Sequence, residues 1–253
     1  MRHTASAGLL LRFLLLGLAS LIVIAVGVWA RPMLITTLEV RGEQAARQGD
    51  LDRALAEFTW AIRLGSSTAT TYLNRGEVYF RRHIPDRALA DLTEALRRDP
   101  NLAAAYNARG MAYVAMGDYA AAVADYSQAL SLMPQSSFYA NRAAAYQLAG
   151  DYGRAIADYD DLLRIDQTNA TAYLDRGLLY ASTEDYDRAI TDYTRAIQLD
   201  PKLSGAYLNR ALAWRANGRN SEAIQDLTTY LTLEPNVPNR AQLEQQIKKL
   251  GGP

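Results

Sequence analysis

An arginine followed by glycine or alanine recurs at a nearly constant interval along most of this chain. The six dipeptides are Arg41-Gly42, Arg75-Gly76, Arg109-Gly110, Arg142-Ala143, Arg176-Gly177 and Arg210-Ala211. Successive arginines are 34, 34, 33, 34 and 34 residues apart. A period held this closely is typical of an array of stacked structural repeats, each of which contacts its neighbours. Such an array presents a surface to a partner, and the period itself does not say which partner.

Each repeat divides into two helical stretches. In the second repeat, small and apolar side chains recur at intervals of three, four and seven over residues 71–82 and again over 86–98. This spacing places them on one face of each helix. A glycine followed by an aspartate, as at Gly117-Asp118, separates the two stretches and is suited to end one helix and cap the next. Helices this short are marginal alone, so their stability must come from stacking.

The residues on these faces follow a recognisable order. The third repeat carries Tyr106, Gly110, Tyr113, Ala122, Tyr126, Ala129 and Pro134, and the fifth carries Tyr173, Gly177, Tyr180, Ala189, Tyr193, Ala196 and Pro201. In this order the chain resembles the tetratricopeptide repeat family. Departures are local and are found at Ala45 and Ser66 in the first repeat, Leu162 and Gln167 in the fourth, and Trp214 and Tyr230 in the sixth. We expect most of the 16 tyrosines to lie in the core.

The resemblance implies an all-α fold, a right-handed α-solenoid of six helix pairs. The repeats would cover residues 35–237, divided as 35–68, 69–102, 103–135, 136–169, 170–203 and 204–237. Residues 238–253 follow as a capping helix and tail, because Leu243, Ile247 and Leu250 share one face and polar residues cover the rest. A mostly polar extra helix is what a repeat array needs to cover its last exposed face.

The N-terminal segment has a different composition. After a tail of residues 1–8, residues 9–30 are predicted to form one transmembrane helix, since Phe13–Ala30 is an 18-residue run without a charge. A signal peptide cleaved near Ala30 is the alternative, and a buried soluble helix is a third. Basic residues flank both ends of the run, so their count does not decide its orientation. The short basic tail before the run resembles an export signal, so the repeats are expected outside the cytoplasm, with a cytoplasmic array as the alternative.

Composition and motifs narrow the function classes. The chain has 27 basic and 27 acidic residues, so it lacks the basic footprint of a nucleic-acid-binding protein. It contains no cysteine, two histidines and no glycine-rich phosphate loop. We therefore expect no enzyme activity, no cofactor, no metal, no small-molecule substrate and no nucleic acid. Protein partners and, through the N-terminal helix, a membrane are the expected contacts.

A row of polar residues near the repeating arginines is the candidate partner-binding site. It consists of Asn74, Asn107, Asn141, Asp175 and Asn209. The family resemblance implies that the first helix of each pair lines a concave groove, and this register would face it. An asparagine amide can donate to and accept from an extended peptide backbone. The alternative is that these side chains bond only to solvent or to neighbouring helices.

The repeating arginines have carboxylates at a constant distance along the sequence. Each is followed 16 residues later by an acidic residue, giving Arg41 with Glu57, Arg75 with Asp91, Arg109 with Asp125, Arg142 with Asp158, Arg176 with Asp192 and Arg210 with Asp226. This interval predicts structural ion pairs between the two helices of each repeat, because a guanidinium can hold a carboxylate at two points. The alternative is an arginine stripe that binds an acidic ligand or RNA.

The sequence thus predicts a membrane-tethered scaffold or assembly factor that binds partner peptides or helices in a concave groove. Two other functions stay open. The chain could be an accessory subunit of a membrane enzyme or secretion complex. A nucleic-acid-binding array is the other, and it is disfavoured by the neutral charge.

Overall fold

The structure, a computed structural model, describes residues 30–252. This part of the chain contains thirteen α-helices and no β-strand, which confirms the predicted all-α class. The helices are α1 (residues 30–48), α2 (Leu51–Arg63), α3 (Ala69–Arg81), α4 (Pro85–Arg98), α5 (Ala103–Ala115), α6 (Tyr119–Leu132), α7 (Ser136–Leu148), α8 (Tyr152–Ile165), α9 (Ala170–Ser182), α10 (Tyr186–Leu199), α11 (Ser204–Ala216), α12 (Asn220–Leu233) and α13 (Arg240–Lys249).

The chain forms two compact units, one up to Ala108 and one from Arg109 onward, so that the boundary falls inside α5. In the first unit, α2 packs on α3 and α3 packs on α4. In the second unit, each helix from α6 to α13 packs on the next, and α9 also contacts α11. Each unit is therefore built from stacked helix hairpins, as the repeating pattern predicts.

The turn between the two helices of a hairpin combines a left-handed residue with an aspartate cap. The side chains of Asp50, Asp118, Asp151 and Asp185 each accept a hydrogen bond from the backbone N–H three residues later, at the start of a second helix. The residue before the cap has positive φ, 81° at Gly117 and 61° at Glu184. Glycine adopts this conformation without strain, whereas a side chain makes it unfavourable.

Replacing Glu184 by glycine is therefore expected to stabilise the protein. A non-glycine residue in the left-handed region raises the free energy of the folded state by on the order of 1 kcal/mol. Glycine removes this strain but makes the unfolded chain more flexible, which offsets part of the gain in stability. We expect a net gain of about 0.5 kcal/mol in urea unfolding. The reciprocal variant Gly117→Ala should lose about 1 kcal/mol. Equal midpoints for both variants and the parent chain would show that the turn does not limit stability.

Close approach of the two helices explains the glycine in the Arg-Gly pairs. A Cβ added at Gly110 would lie 2.7 Å from the ring of Tyr126, and one at Gly177 would lie 2.6 Å from the ring of Tyr193. Both tyrosines are almost fully buried. The aromatic ring thus occupies the space that the missing side chain leaves.

The tyrosines divide into two groups, contrary to the expectation that most are core residues. Tyr126, Tyr159, Tyr180 and Tyr193 are buried, whereas eleven others are half-buried and Tyr152 is exposed. Three of the buried four lie on second helices and pack against the small residues of first helices. Most half-buried tyrosines lie on first helices, where their rings contact arginine side chains, as described below. Helix periodicity alone could not separate these groups, because it indicates which residues share a helix face but not how deeply their side chains are buried.

The ends of the described chain differ. At the C-terminal end, Leu243 and Ile247 of α13 are buried against Leu227 and Leu231 of α12, as a capping helix requires. At the N-terminal end, α1 already includes Ala30, and no helix within residues 30–252 is both long and apolar enough to cross a membrane. The predicted transmembrane segment lies, up to Trp29, outside the described residues.

Candidate functional site

The five predicted binding residues all lie on first helices of the pairs. Asn74 is on α3, Asn107 on α5, Asn141 on α7, Asp175 on α9 and Asn209 on α11, and each is half-buried. The helices that carry Asn141, Asp175 and Asn209 are all in the second unit. Because those three residues hold the same position relative to the repeating arginine, they define one face of α7, α9 and α11.

Internal hydrogen bonds define the positions of the polar atoms of Asn74, Asp175 and Asn209. Asn74 donates through Nδ2 to Glu43 Oε1 at 3.2 Å, which links α3 to α1. Asp175 Oδ2 accepts from the hydroxyl of Tyr159 at 3.3 Å. Asn209 Nδ2 donates to the carbonyl oxygen of Gly205 at 2.8 Å, within its own helix. A partner peptide would therefore bond to the remaining polar atoms of these side chains, or replace an internal bond.

Apolar side chains share this face in the second unit. Residues three and seven positions after Asn141, Asp175 and Asn209 lie on the same side of each helix. They are Ala144, Leu148, Leu178, Ser182, Leu212 and Ala216. Leu148 is 54% exposed and Leu212 is 38% exposed. We call these nine residues of α7, α9 and α11 the inner strip; its apolar members were not identified from the sequence, although the repeat register places them.

The inner strip carries very little charge. Apart from the arginines of the Arg-Gly and Arg-Ala dipeptides, the charged residues of α7, α9 and α11 are Asp175 and Arg215. Burial raises the pKa of the Asp175 carboxyl, and the hydrogen bond from Tyr159 offsets this only in part. Asp175 is thus a partly desolvated carboxylate on an otherwise neutral and apolar face.

The first unit presents a different surface at the corresponding place. A cavity of about 390 Å³ lies between α1, α2 and α3 and has charged walls, with Glu43, Arg47, Glu77 and Arg81 beside Asn74. Arg47 lies 3.9 Å from Glu43, and Arg81 donates to the carbonyl oxygen of Ala46 at 2.8 Å. These charges largely compensate one another. Within residues 30–252 no group of three or more histidine, cysteine or acidic residues could hold a metal ion.

Five of the six predicted Arg–carboxylate pairs form, each with two parallel hydrogen bonds. Arg75, Arg109, Arg142, Arg176 and Arg210 donate through Nε and Nη2 to the two oxygens of the aspartate 16 residues later, at distances from 2.6 to 2.9 Å. The aspartates Asp91, Asp125, Asp158, Asp192 and Asp226 are all buried. We call these five pairs the ion-pair ladder. Each pair joins the two helices of one repeat.

In Arg75, Arg142, Arg176 and Arg210, the remaining guanidinium nitrogen, Nη1, contacts the preceding repeat. Nη1 of Arg142 donates to Ser127 Oγ at 2.9 Å, Nη1 of Arg176 to Asp160 Oδ1 at 2.6 Å and Nη1 of Arg210 to Thr194 Oγ1 at 3.0 Å. In the first unit, Arg75 approaches Thr59 Oγ1 at 3.4 Å. The sequence interpretation missed this second acceptor. Its signal is a serine, threonine or aspartate two residues after the acidic residue of each of the six predicted pairs.

The predicted pair of Arg41 and Glu57 does not form among the described residues. Arg41 is exposed, and Glu57 lies 3.8 Å from Arg53 in its own helix. For Arg75, Arg142, Arg176 and Arg210, the second helix of the preceding repeat supplies an additional acceptor for the guanidinium. Within residues 30–252 Arg41 has no such neighbour, so its side chain remains in solvent.

Aromatic rings complete the surroundings of the ladder arginines. The guanidinium carbon of Arg176 lies 5.5 Å from the ring centre of Tyr173 and 5.9 Å from that of Tyr180, and Arg142 is placed in the same way between Tyr139 and Tyr146. Such contacts favour the cation. The hydrogen bond that Arg176 donates to Asp192 raises the pKa of Arg176 further above its ordinary value. These arginines are committed to internal contacts and offer little to an acidic ligand.

Comparisons with known proteins agree with this architecture. Family models described as tetratricopeptide repeat match residues 67–135, 107–170, 141–204 and 177–248. No curated protein matches the sequence.

Several solved structures share the fold. The pilF structure from Pseudomonas aeruginosa has a TM-score of 0.71 at 16% identity, over 86% of this chain and 99% of that one. YrrB, described as a TPR protein with an unusual peptide-binding site, has a TM-score of 0.62 at 21% identity, over 76% and 97%. MamA from Desulfovibrio magneticus RS-1 has a TM-score of 0.62 at 24% identity, over 67% and 97%. At these identities the similarity concerns the fold alone.

Proposed function

We propose that this chain, a tetratricopeptide repeat protein over residues 67–248, is a scaffold that binds a segment of a protein partner on the inner strip of its second unit. The observation that carries the proposal is the set of exposed apolar side chains, Leu148 and Leu212 above all, in register with Asn141, Asp175 and Asn209. Water-exposed leucines beside fixed polar groups are typical of surfaces that bind peptides.

The ion-pair ladder supports this choice of surface. It fixes each first helix against its second helix through two hydrogen bonds, and the bonds of Arg176 to Asp160 and of Arg210 to Thr194 connect neighbouring repeats. The spacing of the inner-strip residues is therefore set before a partner binds. A pre-organised surface loses less conformational entropy on binding. The peptide-binding site described for YrrB is consistent with peptide binding by this fold.

Site-specific crosslinking tests the proposed surface. A photoreactive amino acid at Leu148 or Leu212 should capture one discrete partner, and Leu212→Asp should suppress capture from Leu148 with little change in melting temperature. Exposed positions tolerate substitution within about 0.5 kcal/mol, so lost capture would report binding. Ile165, 53% exposed at the end of a second helix, is the matched control. Identical products from Ile165 and the inner positions would refute the surface.

The asparagines give a second measure of the same proposal. We expect Asn141→Ala to weaken capture, because a lost hydrogen bond costs on the order of 1 kcal/mol.

We further propose that residues 9–30 tether the repeats to a membrane, based on the uncharged run Phe13–Ala30. Membrane fractionation tests this proposal. An uncleaved anchor keeps the full-length chain in the membrane pellet after alkaline carbonate washing. A soluble product that begins at Arg31 would instead establish a cleaved signal peptide. Protease treatment of intact cells would show which side of the membrane carries the repeats.

A further inference from the structure

Asp175 has no counterpart on the inner strip. It is the single carboxylate in the described helices α7, α9 and α11, and Asn141 and Asn209 occupy the equivalent positions on the neighbouring first helices. An asparagine side chain fills the same space as an aspartate but carries no charge. The charge at Asp175 is therefore not required by the fold at this position in the repeat.

The protein itself provides little compensation for this charge. Asp175 is half-buried and accepts a hydrogen bond of 3.3 Å from the Tyr159 hydroxyl, and it has no ion pair among the described residues. The adjacent Arg176 cannot serve, because its guanidinium is bound to Asp192 and Asp160. A partly desolvated carboxylate without a cation is unfavourable, and a cation from outside would relieve it.

We propose that the inner strip recognises a partner segment with one lysine or arginine, paired to Asp175, between apolar side chains that contact Leu178 and Leu212. This inference rests on the proposed function, since it names the partner chemistry of the same surface. Charge complementarity selects the basic residue, and the exposed Leu212 and half-buried Leu178 select its apolar neighbours.

The charge distribution also limits the number of basic residues. The inner strip supplies no second carboxylate, and Arg215 is exposed on α11, next along the array. A strongly basic segment would bring like charges close to Arg215. An acidic segment would meet Asp175 itself. The complementary partner is thus nearly neutral, with a single positive charge.

Synthetic peptides test the inference on the full-length chain in detergent. The probes are end-blocked nonapeptides with Ala-Leu repeats on both sides of a central Lys, Arg, Gln, Glu or Leu, with binding measured by fluorescence anisotropy. We expect the Lys and Arg peptides to bind about tenfold more tightly than the Glu peptide, with a preference that falls as salt screens the charges. In Asp175→Asn this preference should disappear while the Leu peptide binds as before.

Two further variants make the result specific. Asp175→Lys should reverse the preference in favour of the Glu peptide. Asp161→Asn removes a carboxylate from the second helix α8, where it pairs with Arg164, and should leave the preference unchanged. The inference is overturned if the central residue of the peptide does not change its affinity. It is also overturned if the preference for Lys and Arg persists in Asp175→Asn.

The outcomes separate the inference from the proposed function. Binding of every peptide alike, abolished by Leu212→Asp, would retain the inner strip as a binding surface and remove Asp175 as its selector. If no peptide binds, the inference falls, and crosslinking from Leu148 and Leu212 alone decides the proposed function.

Discussion

Replacing Asp226 by alanine should lower the free energy of unfolding by about 3 kcal/mol, at the lower end of what loss of one partner of a buried ion pair costs. The Asp226 side chain is 5% exposed and the Arg210 side chain 17% exposed. Without the carboxylate, the guanidinium would keep Thr194 as its acceptor and lose both charged hydrogen bonds. Urea unfolding, followed by circular dichroism, measures the change.

A surface pair provides the control for Asp226→Ala. Arg164 pairs with Asp161 within α8, but its side chain is 78% exposed. Asp161→Ala should therefore cost only about 0–1 kcal/mol. A double-mutant cycle on Arg210 and Asp226 isolates their coupling from other effects of substitution. Coupling near zero would show that the ladder contributes geometry without stability and would reopen a ligand role for these arginines.

Replacing Gly177 by alanine is expected to destabilise the protein by roughly 1–3 kcal/mol through overpacking. The new methyl group would lie 2.6 Å from the ring of Tyr193, which is 1% exposed and has little room to move. The fourth repeat already places Ala143 in the same cluster as Tyr159, so a ring can adjust to alanine when its surroundings permit. Thermal or urea unfolding measures the loss.

A glycine-to-alanine substitution at a site with open space around it should instead stabilise the protein. Gly153 lies in the first turn of α8, where an added Cβ would meet only Asp151 Oδ1, at 3.9 Å. Gly153→Ala is expected to gain about 0.5–1 kcal/mol from reduced freedom of the unfolded chain. Tyr193→Leu should rescue Gly177→Ala, because the sixth repeat pairs Ala211 with Leu227. If Gly177→Ala proved neutral and needed no rescue, close packing at this glycine would not be a constraint.

The sequence was most informative where a feature recurs from repeat to repeat. Three patterns occur several times in the sequence, so each could be recognised from more than one copy. They are the 34-residue period, the Gly-Asp turns and the 16-residue interval between arginine and carboxylate. The turns and the interval are local in space, because they lie within a single helix hairpin. Physical rules of helix spacing and capping were therefore sufficient to predict them.

Contacts between repeats were harder to predict. The acceptors Thr59, Ser127 and Thr194 are short polar residues of a kind that is common on helix surfaces. Their role depends on the packing of each second helix beside the arginine of the next repeat, which the sequence does not specify. Arg41 lies in the first described hairpin, where Glu57 is beside Arg53 of its own helix and no preceding second helix is among the described residues. The 16-residue interval contains neither piece of information. The degree of exposure of Leu148 and Leu212 likewise depends on packing that periodicity does not fix.

The hydrogen bond that Nη1 of a ladder arginine donates to the preceding repeat has a consequence for how such an array can change in length. This hydrogen bond is a joint between two neighbouring repeats, and the fifth repeat carries both of its halves. Arg176 on α9 donates to Asp160 of the fourth repeat, and Thr194 on α10 accepts from Arg210 of the sixth. A duplicated repeat would therefore arrive with a donor for the repeat before it and an acceptor for the repeat after it. Addition or loss of a whole repeat leaves every remaining joint intact, whereas a shift of a few residues within one repeat would break two joints at once. The length of such an array can therefore change in steps of 33 or 34 residues without loss of these contacts.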